Sequence, residues 1–239
     1  MGLVSWIDRT FYPKFECNWD DKMFRAEIQK YLTPQSVVLD VGAGAGIVEE
    51  MHFRGDVARI CGVDLDPRVE QNDKLDEGKQ ADAGHIPYKD KLFDVVFADN
   101  VMEHLDDPET VFGEISRVLK PGGILLFKTP NRSHYMPLIA QLTPHRFHQF
   151  INKLRGRDSD DTFPTCYLSN SVGQVTALAA KTGLEVADIQ RIEGRPEYLR
   201  LTFVTYLFGL LYERIVNISP LLSRYRILMI AQLRKPPSW

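Results

Sequence analysis

The sequence predicts an α/β fold built around a seven-stranded sheet. Short apolar runs alternate with helical patterns between about residues 36 and 130, which is typical of successive βαβ units. The first apolar run leads directly into a glycine-rich turn, and two further strand patterns follow the alternating region. A chain of 239 residues has room for one large domain or two small ones.

The strands and helices of the alternating region are set by their boundary residues. Asp66-Pro67 and Asp107-Pro108 each place an N-cap aspartate before a proline at the first helical position, which marks a helix start. The second of these helices has an apolar face and ends at Lys120-Pro121-Gly122-Gly123. Strands are predicted at residues 36–41, 58–63, just before 82, 92–98 and 124–128.

The regular alternation stops after residue 129. Prolines and histidines between Thr129 and about Asn170 predict an irregular insertion of the kind that often carries specificity. A helix is then predicted at residues 171–182, a strand at 184–192, a mostly apolar helix at 199–218 and a last strand at 226–233. We therefore expect a helical lead-in over residues 1–35 and one domain over residues 36–239, with the insertion at about 130–170.

Composition and charge exclude several classes of protein. Hydrophobic residues make up 44% and charged residues 26%, which excludes a disordered, collagen-like or coiled-coil chain. The net charge of -3 gives no reason to expect a nucleic-acid partner, because phosphate binding needs lysines and arginines clustered over one face. Three widely spaced cysteines without ligand spacing argue against a disulfide framework or a zinc site and favour the reducing cytosol.

The expected location is cytoplasmic. Charges within residues 1–12 argue against a secretory signal, and the charge-free stretch Leu201 to Tyr212 is too short to span a bilayer. We expect the apolar helix at residues 199–218 to pack on the sheet, to contact a membrane peripherally or to form the interface of a homodimer. A basic stretch is either a solvated helix face or a site for an anionic substrate group or acidic membrane; it comprises Arg146, Lys153, Arg155 and Arg157.

The glycine-rich turn is the central motif for chemistry. The segment Val38 to Gly46 runs from a strand through glycines toward a predicted helix, whose N-terminal N–H groups would face an anionic group. Asp64 closes the next strand, 18 residues after Gly46, where an acid accepts both hydroxyls of a ribose. These two features alone also fit a nicotinamide dehydrogenase.

Further motifs narrow the class. They are Val38 to Gly46, Gly62 to Pro67, Asp82-Ala83, Ile86 to Tyr88, Phe93 to Val96, Glu103-His104-Leu105 and Arg117 to Gly123. With them, about residues 36–130 resemble a class I S-adenosylmethionine-dependent methyltransferase. The resemblance implies a Rossmann-like sheet that is mostly parallel with an antiparallel last strand, helices on both faces, and S-adenosyl-L-methionine as cofactor. The two terminal strand patterns match that ending, which dehydrogenases lack.

The resemblance also implies a cofactor-binding set, residue by residue: Asp40, Gly42, Ala43, Gly44, Gly46, Asp64, Leu65, Asp82, Ala83, Asp99 and Asn100. The glycine turn would hold the methionine part above Asp40, and Asp64 would accept the ribose hydroxyls. Asp82 and the Ala83 N–H would face the adenine. Carboxylates suit this ligand because it carries a sulfonium and an ammonium. Trp19 in the lead-in would either close the pocket or anchor the core.

Three histidines are candidate catalytic bases for a hydroxyl acceptor: His104, His134 and His145. Glu103-His104 matches a pair in methyltransferases that resemble the ubiquinone-pathway O-methylating enzymes, some of which use it in a metal site. Those enzymes carry a carboxylate four residues before the histidine, where this chain has Asn100, so no metal is expected. His104 could instead shape the substrate entrance, and His134 and His145, with nearby His148, could serve packing or the surface.

The predicted function is therefore O-methylation of a small-molecule, glycan or lipid-linked hydroxyl. Methylation at nitrogen or carbon is the alternative among enzymes, and it would leave the histidines without a base role. A catalytically inactive binding protein with the same fold is the alternative outside enzymes. The intact Asp40, glycines and Asp64 argue against that last interpretation.

Overall fold

The structure is a computed structural model that describes residues 2–13, 15, 18–142 and 164–237. Two compact units are present. The sheet unit comprises the described parts of Asp20–Thr129, Thr165–Gln190 and Ile230–Trp239, and the helical unit comprises those of Met1–Trp19, Pro130–Pro164 and Arg191–Met229.

The central sheet confirms the predicted fold class. Its strands are β1 Val37–Val41, β2 Arg59–Asp64, β3 Glu77–Gln80, β4 Phe93–Asp99, β5 Leu119–Pro130, β6 Glu185–Ile192 and β7 Leu228–Arg234. The order is β3-β2-β1-β4-β5-β7-β6. Strands β3, β2, β1, β4 and β5 pair in parallel, and β5-β7-β6 is the antiparallel part. Strand β5 starts earlier than predicted, because Leu119 already pairs with Phe93 ahead of a register shift.

The parallel register places the ends of three strands side by side. Val41 of β1 pairs with Val63 of β2 on one side and with Ala98 of β4 on the other. Asp64 and Asp99 are the last residues of their strands. The sheet order reverses at β1, and this is where open α/β sheets form a ligand crevice at the carboxyl ends of their strands.

Two helices of the sheet unit form close to where the sequence predicts them. In α3 (Pro108–Val118), the Asp107 carboxylate accepts from the Thr110 N–H at 3.2 Å, and Val111, Phe112 and Ile115 are buried. The later helix Val172–Thr182, named α5 below, begins at the Ser171 cap and ends at Gly183, whose φ is 72°. The lead-in contributes α2 (Trp19–Gln29).

Two expected helices are much shorter than predicted. After Gly46 the chain forms only the 3-10 turn Glu49–Met51, and the Asp66 cap starts only the 3-10 helix Pro67–Gln71. The Arg25 guanidinium donates to the carbonyls of Glu50 and His52 at 2.7 Å each, so those carbonyls are engaged outside a helix. The expectation of an α-helix after the glycine turn was therefore wrong.

The helical unit is built on α1 (Leu3–Phe11), α4 (Tyr135–Leu142) and α6 (Phe203–Ile218). Ile7, Tyr12 and Tyr206 form its buried cluster, with the two tyrosine rings stacked at 6.0 Å. The Tyr12 hydroxyl donates to Glu213 at 3.1 Å. Helix α4 lies within the segment predicted to be irregular, because Tyr135 to Leu142 carries no charge or glycine to interrupt a helix.

Helix α6 exposes part of its apolar surface. Side chains at helical spacing along it remain accessible: Val204, Leu207, Phe208, Leu211, Ile215 and Ile218. The helix therefore has more apolar side chains than its buried face accommodates. Across the described residues, the longest and most apolar helices fall short of the length or hydropathy needed to cross a membrane.

Two glycine substitutions test the packing of the sheet unit. An added Cβ at Gly78 in β3 would lie 1.9 Å from the Val69 carbonyl oxygen, whereas one at Gly113 in α3 meets nothing within 4 Å. We expect Gly78→Ala to lower the free energy of unfolding by about 1–3 kcal/mol, because the backbone must shift. Gly113→Ala should raise it by about 0.5–1 kcal/mol through helix propensity. Urea denaturation of both variants measures these changes, and equal stability of Gly78→Ala and the parent would contradict the packing described.

Candidate cofactor and active site

The glycine turn is shaped by its own neighbours. Gly42, Gly44 and Gly46 have φ values of 84°, 47° and 70°, in the left-handed region that favours glycine. A Cβ at Gly42 would lie 2.2 Å from Val101 Cγ2, and one at Gly46 would lie 2.3 Å from Asn72 Oδ1. The turn therefore requires glycine at these positions before any ligand is considered.

The amide groups of the turn are engaged within the protein. The Gly42 and Ala43 N–H groups donate to the Val63 carbonyl at 2.8 and 3.3 Å, and the Gly46 N–H donates to Ala43. The Gly44 N–H donates to Asp64 at 2.8 Å. Because no α-helix follows, the free helix N-terminus expected from the sequence is absent from this described segment.

Asp64 is held by backbone N–H groups on both of its carboxylate oxygens. Oδ2 accepts from Gly44 and Oδ1 accepts from Asp66, each at 2.8 Å. A carboxylate oxygen can accept two hydrogen bonds, so each oxygen keeps one further acceptor position. The side chain is thus oriented at the end of β2 with capacity for two hydroxyl donors, which fits the predicted ribose contact.

Asp40 and Asp99 add buried acidity beside this turn. Burial first, and then the charges of Asp99 and Asp64, raise the pKa of Asp40 well above its usual range. Burial also raises the pKa of Asp99 to about 6, although Lys128 opposes that change. Carboxylates crowded in this way favour a cationic ligand, so the site fits a cofactor that carries a sulfonium and an ammonium.

The residues predicted to face adenine lie in the loop after β3. The Ala81 N–H donates to the Asp64 carbonyl at 2.9 Å, which ties this loop to the end of β2. Asp82 is exposed, and its carboxylate accepts from the Gly84 N–H at 2.7 Å. Ala83 is half-buried and Leu65 is exposed. The structure therefore brings the predicted adenine and ribose residues next to each other.

Asn100 turns the chain sharply after β4. Its φ is 53°, its side chain donates to Asp99 Oδ1 at 2.9 Å, and its N–H donates to the Lys128 carbonyl at 2.9 Å. The 3-10 turn Met102–His104 follows directly. Asn100 thus links the predicted cofactor residue Asp99 to the predicted base His104.

The turn that carries His104 is fixed by its buried neighbour Glu103. The Glu103 carboxylate accepts from the Thr129 hydroxyl at 2.8 Å, and that hydroxyl accepts from the Asn170 amide at 2.6 Å. The Cys166 N–H donates to the Glu103 carbonyl at 2.7 Å. Burial raises the pKa of Glu103. Sequence reasoning missed Thr129, which bonds to this turn, and Asn170, which bonds to Thr129, because tertiary structure and not sequence distance brings them to Glu103.

The second candidate base is not part of the sheet unit. His134 belongs to the helical unit and is 1% exposed. Its Nδ1 accepts from the Met136 N–H at 3.2 Å, its Nε2 lies 3.7 Å from Glu193 Oε2, and the Tyr135 and Tyr212 rings flank it. These contacts favour the packing alternative for His134.

Several predicted residues lie outside the described part of the chain: His145, His148, Arg146, Lys153, Arg155 and Arg157. Trp19 is half-buried, and its ring packs edge-on against Phe15 at 5.3 Å. That contact within the helical unit favours the core-anchor alternative for Trp19. Across the described residues, no group of three or more His, Cys, Asp or Glu side chains is placed to hold a metal ion.

A cleft of about 620 Å³ lies at the opposite end of the sheet. Ser36, Asp94, Lys120 and Arg234 are among its lining residues, beside the start of β1 and the end of β7. It contains none of the predicted site residues. The side of the sheet that carries Asp64 and Asp99 is therefore the better candidate for chemistry.

Comparison with known proteins shows the family of the chain. Residues 39–127 match the family model described as a methyltransferase domain. Over 212 residues the chain is 31% identical to a ubiquinone biosynthesis O-methyltransferase of Pseudomonas putida, covering 78% of this chain and 87% of that protein. A ubiquinone biosynthesis O-methyltransferase of Pseudomonas savastanoi is 30% identical, covering 88% of this chain and all (100%) of that protein.

A solved structure shows the same fold at lower identity. Geranyl diphosphate C-methyltransferase from Streptomyces coelicolor is 15% identical, has a TM-score of 0.56 and is aligned over 90% of this chain and 78% of its own. Fold, glycine turn and strand-end aspartates together define a class I S-adenosylmethionine-dependent methyltransferase. The chain belongs to this family, and relatives that match most of its length include ubiquinone biosynthesis O-methyltransferases.

Substitution of Asp64 tests the ribose contact. We expect Asp64→Ala to weaken S-adenosylhomocysteine binding at least tenfold, because two hydrogen bonds to a charged acceptor, worth about 1.5–3 kcal/mol each, are lost. Asp76→Ala is the matched control, since the Asp76 carboxylate also accepts from a backbone N–H, that of Ile60, but near the start of β2. Isothermal calorimetry measures both affinities. Equal affinity for Asp64→Ala and Asp76→Ala would exclude Asp64 from the site.

Proposed function

We propose that the protein transfers a methyl group from S-adenosylmethionine to a hydroxyl group of a small molecule. One observation carries the proposal. The Met102–His104 turn follows the end of β4, so a histidine lies on the side of the sheet that also carries Asp64 and Asp99. The names of the curated relatives, which are O-methyltransferases, support the choice of oxygen.

The acidic groups are proposed to hold the cofactor. S-adenosylmethionine supplies an electrophilic methyl group on a sulfonium that leaves as a neutral thioether. Asp64 would accept from the ribose hydroxyls with the two acceptor positions that its backbone contacts leave. Asp40 and Asp99 would favour the cationic part of the ligand near the glycine turn. Alignment of acceptor and methyl group would then account for much of the rate.

His104 is proposed as the general base. It would accept the proton of the acceptor hydroxyl as that oxygen forms its bond to the methyl carbon. The buried Glu103 is proposed as a positioning residue. Its carboxylate accepts from the Thr129 hydroxyl and its backbone carbonyl accepts from the Cys166 N–H, and these hydrogen bonds fix the turn. The fold alone does not select oxygen, since a C-methyltransferase shares it.

The finer assignments remain predictions. A glycan or lipid-linked acceptor is one version of the proposed hydroxyl substrate, and the ubiquinone pathway of the relatives suggests an aromatic hydroxyl as another. A cytoplasmic location, peripheral membrane contact and a homodimer also stay predictions. The exposed apolar side chains of α6 are the feature that favours either contact.

Substitution of the histidines distinguishes the candidate bases. We expect His104→Gln to lower kcat about 10²–10⁴-fold, the usual contribution of a general base, with S-adenosylmethionine affinity unchanged. His134→Gln should lower the melting temperature through its buried contacts while kcat of the folded protein stays near the parent value. Steady-state kinetics with a small aromatic hydroxyl acceptor and thermal unfolding measure these effects. A normal kcat for His104→Gln would favour methylation without a histidine base.

Metal removal tests the interpretation of Asn100. Because an amide stands where related metal-using enzymes carry a carboxylate, we expect turnover to survive exhaustive treatment with EDTA. Methyl transfer is measured before and after chelation, with magnesium and zinc added back in separate samples. Turnover that is lost with EDTA and restored by either ion would identify Glu103 and His104 as ligands.

A further inference from the structure

Lys128 is a fully buried lysine among three carboxylates. Its ammonium lies 2.9 Å from Asp99 Oδ1 and 3.2 Å from Asp20 Oδ2, and it also contacts Asp21 Oδ1. The side chain is 0% exposed. It directly follows an apolar run of β5, Leu125-Leu126-Phe127. A buried cation is unfavourable unless it is closely paired, so this cluster needs a physical explanation.

The cluster joins α2 to the carboxyl ends of β4 and β5. Asp20 and Asp21 occupy the first turn of α2. From the same helix, Arg25 donates to the carbonyls of Glu50 and His52, which follow the glycine turn. Helix α2 therefore contacts both the segment after the glycine turn and Lys128 near the end of β5 within the sheet unit.

We propose that Lys128 is a positioning residue for the cofactor site, which keeps Asp99 ionised and holds α2 against the crevice. Without this ammonium, the carboxylates of Asp99, Asp20 and Asp21 would repel one another in a buried setting. The cofactor would then meet a protonated and less ordered Asp99. The inference rests on the proposed cofactor site.

Charged groups from three elements face Asp99. They are Lys128 on β5, Asp20 and Asp21 on α2, and Asp40 on β1. The charge of Glu50 in turn raises the pKa of Asp21. Burial opposes the charge of Lys128, but the three carboxylates raise its pKa above the usual lysine range, so it stays protonated. The pKa of Asp99 is raised to about 6 as the net result of these effects. Burial raises this pKa most, Lys128 lowers it, and Asp21 and Asp20 raise it.

The sign of the pH effect follows from these charges. The cationic cofactor prefers ionised Asp99, so affinity should fall as the pH drops through about 6. Loss of Lys128 raises that pKa further and moves the fall to higher pH. Loss of the charges of Asp20 and Asp21 lowers the pKa of Asp99 and moves the fall in affinity to lower pH. A purely structural role would weaken binding in both variants without opposite shifts.

The test is calorimetric titration of S-adenosylmethionine between pH 5 and 8 with the full chain. The parent should bind about twofold more weakly at pH 6 than at pH 8, as expected for one group with a pKa near 6. For Lys128→Met, we expect a midpoint at least about one unit higher and a ratio of about tenfold between these two pH values. For Asp20→Asn/Asp21→Asn, the midpoint should move below that of the parent.

Asp99→Asn assigns the titrating group. This variant should lose the fall in S-adenosylmethionine affinity near pH 6. Adding Lys128→Met to it should cause no further change in how affinity depends on pH. If Lys128→Met does not fold, the downward shift in Asp20→Asn/Asp21→Asn and the lost step in Asp99→Asn decide the question.

Midpoints that stay fixed or move in the same direction in both charge variants would overturn the role of Lys128. A step that survives Asp99→Asn would overturn the assignment to Asp99. A parent protein that binds no S-adenosylmethionine at any pH would overturn the cofactor site itself, which is a different failure.

Discussion

Parallel pairing of β2, β1 and β4 is the constraint on which the site depends. It places the carboxylates at the ends of these strands so close together that Asp99 and Asp64 both raise the pKa of Asp40. Such crowding is unfavourable in a buried setting unless a cation is present. Lys128 supplies part of that charge, and a cationic cofactor would supply the rest.

The same edge of the sheet shows how backbone contacts orient side chains for chemistry. Asp64 is fixed by two N–H groups and keeps two acceptor positions, while the glycine turn uses its own amides to hold its shape. Glu103 is bound by Thr129, and Thr129 by Asn170, so three separate parts of the sequence fix the turn that carries His104. Rigid support of this kind keeps reacting groups aligned.

In the helical unit, polar side chains pair with one another beneath the helices. Tyr12 donates to Glu213, Tyr206 donates to Asp8, and Arg200 pairs with Asp8. His134 and Glu193 are also buried there. The hydrogen bonds of Tyr12 and Tyr206 satisfy polar groups beneath helices whose outer residues, such as Phe208 on α6, are apolar and exposed. The described part of this unit therefore combines buried polar pairs with an accessible apolar surface.

The sequence by itself determined the α/β class, the seven strands, the cap of α3 and the strand-end acids, because these depend on local periodicity, capping and turn chemistry. Only the tertiary structure decided that the glycine turn is followed by a 3-10 turn, since Arg25 from a distant helix engages its carbonyls. It also decided that His134 is buried and that Lys128 joins Asp20, Asp21 and Asp99. Lys128 and Asp20 are 108 residues apart, and no local pattern encodes an ion pair that forms only when strand order brings its partners together.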